Sequence, residues 1–186
     1  EQVEDPEAEL EEPPGQARVE LEEGDARRGF RGLEGTLAHE DSTGHGGQIR
    51  PGIAQRLSAG TGVAHAERNA SPSEPLTFVQ MMLRSTNEAA PQYGLKQIPV
   101  GAGLHETVEM HSPARLQVAR PTASESLEVD VASGALIHVT TGEIYCDGER
   151  LGKGDELRIS AAGTVQISGT EPAEALVWLV ELPRLG

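Results

Sequence analysis

From Val19 onward the apolar residues come in short runs parted by Gly, Pro, Asn and Asp, and almost nothing recurs at helical period. Leu127-Glu128-Val129-Asp130-Val131 alternates strictly, the signature of a strand with one face buried. Leu76-Thr77-Phe78-Val79-Gln80-Met81-Met82-Leu83 is unbroken and predicts a strand covered on both faces. Ile144-Tyr145-Cys146 and Leu157-Arg158-Ile159 flank turn signals at Asp147-Gly148 and Gly152-Lys153-Gly154-Asp155. Ala175-Leu176-Val177-Trp178-Leu179-Val180 closes the series. Short strands at such spacing predict an all-β barrel or sandwich, with room for a helix only around Glu88 to Ala90.

The strands fall into two loosely similar halves. In the first, Gly35 leads to Gly44-His45-Gly46-Gly47, then Pro51-Gly52, then a strand ending in His65-Ala66-Glu67. In the second, Gly142-Glu143-Ile144 leads to Gly154-Asp155-Glu156 and Val165-Gln166-Ile167. The parallel predicts a duplicated barrel, one over residues 16–100 and the other over 123–186, with a join at 101–122. Residues 1–15 read as a solvated acidic arm that Pro6, Pro13 and Pro14 keep from helix.

Acidic residues outnumber basic ones 30 to 15, giving a formal net charge of −15. Binding to phosphate backbones or anionic lipid needs clustered Lys and Arg, so neither nucleic acid nor a membrane surface is the expected partner. The charge suits a basic partner or plain solubility. No apolar run reaches the length of a membrane span, and the acidic start is the opposite of a secretory signal. Cys146 stands alone, so no intrachain disulfide is expected and a reducing cytoplasm is the simplest home.

The candidate chemistry lies at His65 and Glu67. Residues i and i+2 of a strand project from one face, so the pair could offer an imidazole nitrogen and a carboxylate oxygen to one metal, or to each other. Other polar residues read more plainly. His39 and His45 flank predicted turns and are expected at the surface or hydrogen-bonded. His105 and His111, six apart, share no strand parity, and His138 reads as a packed strand residue of the second half. Cys146 has no basic neighbour to activate it. Ser58 with His65 lacks any nucleophile elbow, and Gly60 and Gly62 serve a turn, not a phosphate loop. No metal is expected in the second barrel.

Taken in order, Ala38-His39-Glu40-Asp41, Gly44-His45, Pro51-Gly52, Gln55, Ala59-Gly60-Thr61-Gly62, His65-Ala66-Glu67, Glu74-Pro75, Leu83-Arg84-Ser85 and Pro91-Gln92-Tyr93 resemble the pirin family of bicupins. The resemblance is specific over residues 33 to 99 and holds by pattern beyond. It implies two cupin-type barrels and one metal site in the first, iron or else manganese, nickel or copper, with His65 and Glu67 as ligands. It implies quercetin 2,3-dioxygenase activity, with Glu67 as ligand or base, or regulation through a transcription factor or metabolic enzyme. The substrate pocket would take Gln55 and Gln80 as polar groups beside His65 and Glu67, walled by Leu57, Val63, Phe78 and Met82. The family completes its site with two histidines upstream of the Leu-Glu-Gly turn. Here no histidine precedes Leu33-Glu34-Gly35; the positions fall on Leu21 and Glu23, or on Asp25 and Arg27. Either the pair is lost or a segment carrying it is missing from this sequence, and the first barrel is short of a strand. Two ligands hold a divalent ion poorly. The expectation is therefore a binding or regulatory protein that takes a protein partner or a small phenolic ligand, its metal site degenerate and holding a metal only if competent. The alternative is a metal-dependent dioxygenase acting on flavonols.

Overall fold

The computed structural model describes residues 16–18, 23–24, 28–84, 89–110, 114–169 and 172–180, with side chains before residue 35 and at 82–84 excepted. Among the described residues every regular element is a strand, as the alternation predicts. No helix among them is long and apolar enough to cross a membrane.

The first half forms three small antiparallel sheets. One orders β10 (Gln92–Gln97), β6 (Ile53–Ser58), β1 (Gln16–Arg18) and β9 (Met82–Arg84). A second joins β2 (Glu23–Gly24), β3 (Arg28–Glu34) and β8 (Thr77–Phe78). The third joins β5 (Gly46–Ile49), β4 (Leu37–Asp41) and β7 (His65–Asn69).

The second half is more regular. Strands β11 (Gly103–Glu106), β12 (Ala114–Arg120), β19 (Glu174–Val180), β14 (Gly134–Thr141) and β17 (Glu156–Ile159) make one sheet. Strands β13 (Leu127–Val131), β18 (Gly163–Gly169), β15 (Glu143–Cys146) and β16 (Glu149–Gly152) make the other. Period-two patterning divides its apolar residues between two cores. Ala175, Val177 and Leu179 of β19 join Ile137, Val139, Ile144, Val165 and Ile167 inside the second barrel. Leu176 and Trp178, on the other face of β19, join Leu116 and Val118 against Leu37, Ala54, Phe78 and Ile98 of the first half. The two cupin-type barrels therefore share a continuous apolar seam. Burying each large side chain there stabilises the fold by roughly 1.5–3 kcal/mol before entropy is counted.

The duplication recurs as stereochemistry. Gly35 has φ +81°, and a Cβ there would stand 2.4 Å from the Pro75 carbonyl oxygen; Gly142 has φ +70° and meets Pro172 in the same way at 2.2 Å. Each half thus opens a strand with a left-handed glycine under a proline carbonyl, which only glycine accommodates.

Three features differ from the sequence reading. The run Leu76 to Leu83 is two strands, because Phe78 pairs with Phe30 of β3 whereas Met82–Arg84 pair with β1; the chain crosses between sheets at 79–81. The stretch read as a join at 101–122 is largely strand: β11 pairs with β12, and β12 with β19, so both belong to the second barrel. The apolar alternation Leu116, Val118 in β12 carries the reason, since it supplies the seam. Ala89 and Ala90 are not helical, and Glu88 lies outside the described residues, as do the arm at 1–15 and Leu21, Asp25 and Arg27.

Candidate functional site

Strand parity places His65 and Glu67 on one face of β7, both half-buried. The neighbouring strand brings partners. β4 pairs with β7 so that His39 lies opposite Glu67 and Asp41 opposite His65, and directly opposed residues share a face. His39 and Asp41 are themselves i and i+2. From the next sheet β6 contributes Gln55, and β10 contributes Tyr93, which lies opposite Leu57.

These side chains form one hydrogen-bonded chain. His39 Nδ1 lies 3.3 Å from Glu67 Oε1 and donates to it. The Gln55 amide nitrogen donates to the same oxygen. Tyr93 Oη in turn donates to Gln55 Oε1 at 2.9 Å. The rings stack around this chain: His39 lies 4.8 Å from Tyr93 at 18° and 5.8 Å from His65 at 25°. His45 also stacks on Tyr93, at 5.6 Å and 23°. All are offset stacking distances.

Asp41 organises the turn that carries His45. Its Oδ1 accepts from the Thr43 amide at 2.8 Å, the Thr43 hydroxyl at 2.6 Å and the His45 amide at 3.1 Å. Its Oδ2 lies 3.6 Å from His39 Nε2 and 3.6 Å from His45 Nδ1. Burial pushes this carboxyl up, but the hydrogen bonds from Thr43, His45 and His39 together outweigh it and leave it at about 2, against an ordinary 3.8. Tyr93 moves the other way. Burial first, then the charges of Glu67 and Asp41, push its phenol up to about 12, so it stays a neutral donor.

Two stretches of the chain match family models: "Pirin" over residues 32–83 and "Quercetinase C-terminal cupin domain" over residues 100–179. A Mycobacterium tuberculosis relative, carrying the quercetin 2,3-dioxygenase name in provisional form, is 33% identical over 162 residues, or 78% of this chain and 66% of its own length. The chain belongs to the pirin family. The Escherichia coli protein named quercetin 2,3-dioxygenase is 28% identical over 167 residues, covering 81% of this chain and 70% of its own. In fold, the pirin is similar to the nickel(II) complex of the bacterial pirin YhhW from Escherichia coli, with TM-score 0.76 and 23% identity over 92% of this chain and 75% of that one. The chain thus spans about two thirds, 66%, of the length of the mycobacterial relatives it matches.

Whether this donor set suits the family's metal can be read from the chain itself. Among the described residues, no group of three or more His, Cys, Asp and Glu side chains is placed to hold a metal ion. One Glu67 oxygen already accepts from His39 and Gln55, and His39 Nδ1 is spent on that bond. The described residues do not fit a divalent ion. Of the upstream positions, Glu23 lies on β2 by its backbone.

Gln55 sits at the centre of the chain, and Leu57 is buried two residues on, on the same face. Phe78 lies in the apolar seam, and Gln80 is half-buried between β8 and β9. Val63 is half-buried just before β7, and the Met82 side chain lies outside the described residues. His45 is exposed and hydrogen-bonded to Thr43 Oγ1 at 2.7 Å. His39 is hydrogen-bonded but not beside a turn: it is 1% exposed in the middle of β4. Ser58 alternates to the face of β6 opposite Gln55 and makes no pair with His65. His105 Nε2 donates to the Gly101 carbonyl at 3.2 Å, and His111 lies outside the described residues. His138 is packed in β14, its Nδ1 3.5 Å from Glu156 Oε1. Burial, followed by Asp147 and Glu149, pushes the Cys146 thiol up to about 11, so it is no nucleophile. Sequence reasoning missed His39, Asp41 and Tyr93 as members of the site. The signal was the i, i+2 spacing of His39 and Asp41, identical to that of His65 and Glu67.

Proposed function

We propose that this pirin is a binding protein whose first barrel takes a small planar phenol at a polar floor of Gln55 and Glu67, with its metal site degenerate. The observation that carries the reading is ligand count: among the described residues no group of three or more His, Cys, Asp and Glu side chains is placed to hold a metal ion. An apolar wall with a few convergent polar groups is the usual form of a small-molecule site. Leu57 supplies apolar wall and Gln55 the polar group. The regulatory version, with a transcription factor or metabolic enzyme as partner, rests on family resemblance, and a reducing cytoplasm suits the lone Cys146.

A second reading, flavonol dioxygenase, is favoured by the names of the relatives and by the nickel complex of the Escherichia coli pirin. It needs at least one further donor beside His65 and Glu67. An oxygen electrode separates the two. The binding reading expects quercetin to quench protein fluorescence saturably while oxygen consumption stays at background, with or without added Fe(II), Mn(II), Ni(II) or Cu(II). Rapid oxygen uptake that His65→Ala abolishes would establish the dioxygenase instead.

A further inference from the structure

Tyr93 is itself a phenol, and it lies in a complete set of phenol contacts. Two imidazoles stack on its ring, His39 at 4.8 Å and His45 at 5.6 Å. Its hydroxyl donates to a single amide carbonyl, Gln55 Oε1. That carbonyl cannot turn away, because the nitrogen of the same amide is engaged by Glu67, which His39 also holds. An amide oxygen accepts from a neutral hydroxyl and repels a phenolate, so the arrangement selects by protonation state as well as by shape. The inner parts are sealed: the His39 and Asp41 side chains are 0% exposed. The outer ring is not, since the His45 side chain is 52% exposed. Leu95, two residues along the same face of β10 and 46% exposed, adds an apolar rim beside Tyr93.

We infer that Tyr93 occupies in cis a cage that recognises a neutral phenol, and that an external phenolic ligand binds by taking the place of the Tyr93 ring, entering past His45. The inference deepens the binding reading above and rests on it for the identity of the ligand, though not for the existence of the cage. Tyr93 then sets specificity as an internal competitor. Any ligand must offer a hydroxyl to Gln55 and a flat ring to the two imidazoles, and must outbid a tethered copy of the same chemistry. The high phenol pKa of Tyr93 agrees with a site that keeps its occupant protonated.

Tyr93→Ala with p-cresol as the probe tests this, because p-cresol is the excised side chain. The variant should be stabilised saturably by p-cresol, at least ~5-fold more tightly than by toluene, which lacks only the hydroxyl. The wild type should show no such stabilisation at the same concentrations. Equal binding of toluene and p-cresol, or equal binding of p-cresol by wild type and variant, overturns the cage. Should Tyr93→Ala fail to fold, Tyr93→Phe keeps the stacked ring and removes its hydrogen bond; p-cresol affinity should then rise ~5-fold over wild type, and no gain overturns the proposal. Quercetin binding separates the two readings. A wild type that binds quercetin beside a Tyr93→Ala that ignores the p-cresol hydroxyl leaves the pocket and removes the cage. A p-cresol-selective variant in a protein that never binds quercetin does the reverse.

Discussion

Above its titration range the Asp41 carboxylate accepts three hydrogen bonds through one oxygen and faces two imidazoles with the other. Its pKa of about 2 in the fold lies below the ordinary 3.8. A group depressed on folding stabilises the native state above its unfolded pKa, and that contribution is lost as pH falls through the folded value. The stability gap between wild type and Asp41→Asn should therefore be constant above about pH 5 and shrink steadily between roughly pH 4 and pH 2, as followed by urea unfolding at each pH. A gap independent of pH would place the role of Asp41 elsewhere. At this scale the sequence was half legible. His65 and Glu67 could be read because strand period puts i and i+2 together. His39 could not be read as their neighbour, because only the β4–β7 register sets it opposite Glu67. Nor could Tyr93, which arrives from another sheet altogether.

Among the elements, the two glycine-led strands offer the sharpest test of the duplication. Gly35→Ala and Gly142→Ala combine a left-handed backbone with a carbonyl oxygen under 2.5 Å from the new methyl, so each should cost at least about 2 kcal/mol in thermal or denaturant unfolding. Gly44 also has positive φ, +89°, but open space around it, and Gly44→Ala should cost no more than about 1–2 kcal/mol. If all three cost the same, the proline carbonyl contacts are not what holds these strand starts. Elements with strict alternation, such as Leu127–Val131, were legible because one of their faces meets water. The run Leu76 to Leu83 was not: an apolar stretch covered on both sides gives no sign of where the chain leaves one sheet for the next. Ala114–Arg120 was passed over as a join, although its alternating Leu116 and Val118 belong to the apolar seam.

Across the whole molecule, the seam of Trp178, Leu116, Val118 and Leu176 against the first half ties a well-formed second barrel to a first barrel of small sheets. The all-β duplication was legible from strand spacing and repeated turns. The state of the metal site was not, because it depends on which partners Glu67 finds in three dimensions. Here it finds His39 and Gln55. The central claim is that the described residues leave the metal site short of ligands, and metal content tests it most directly. Elemental analysis of the full chain, purified without chelator, should find iron, manganese, nickel and copper together well below one equivalent. One equivalent of any of them, lost in His65→Ala, would contradict it.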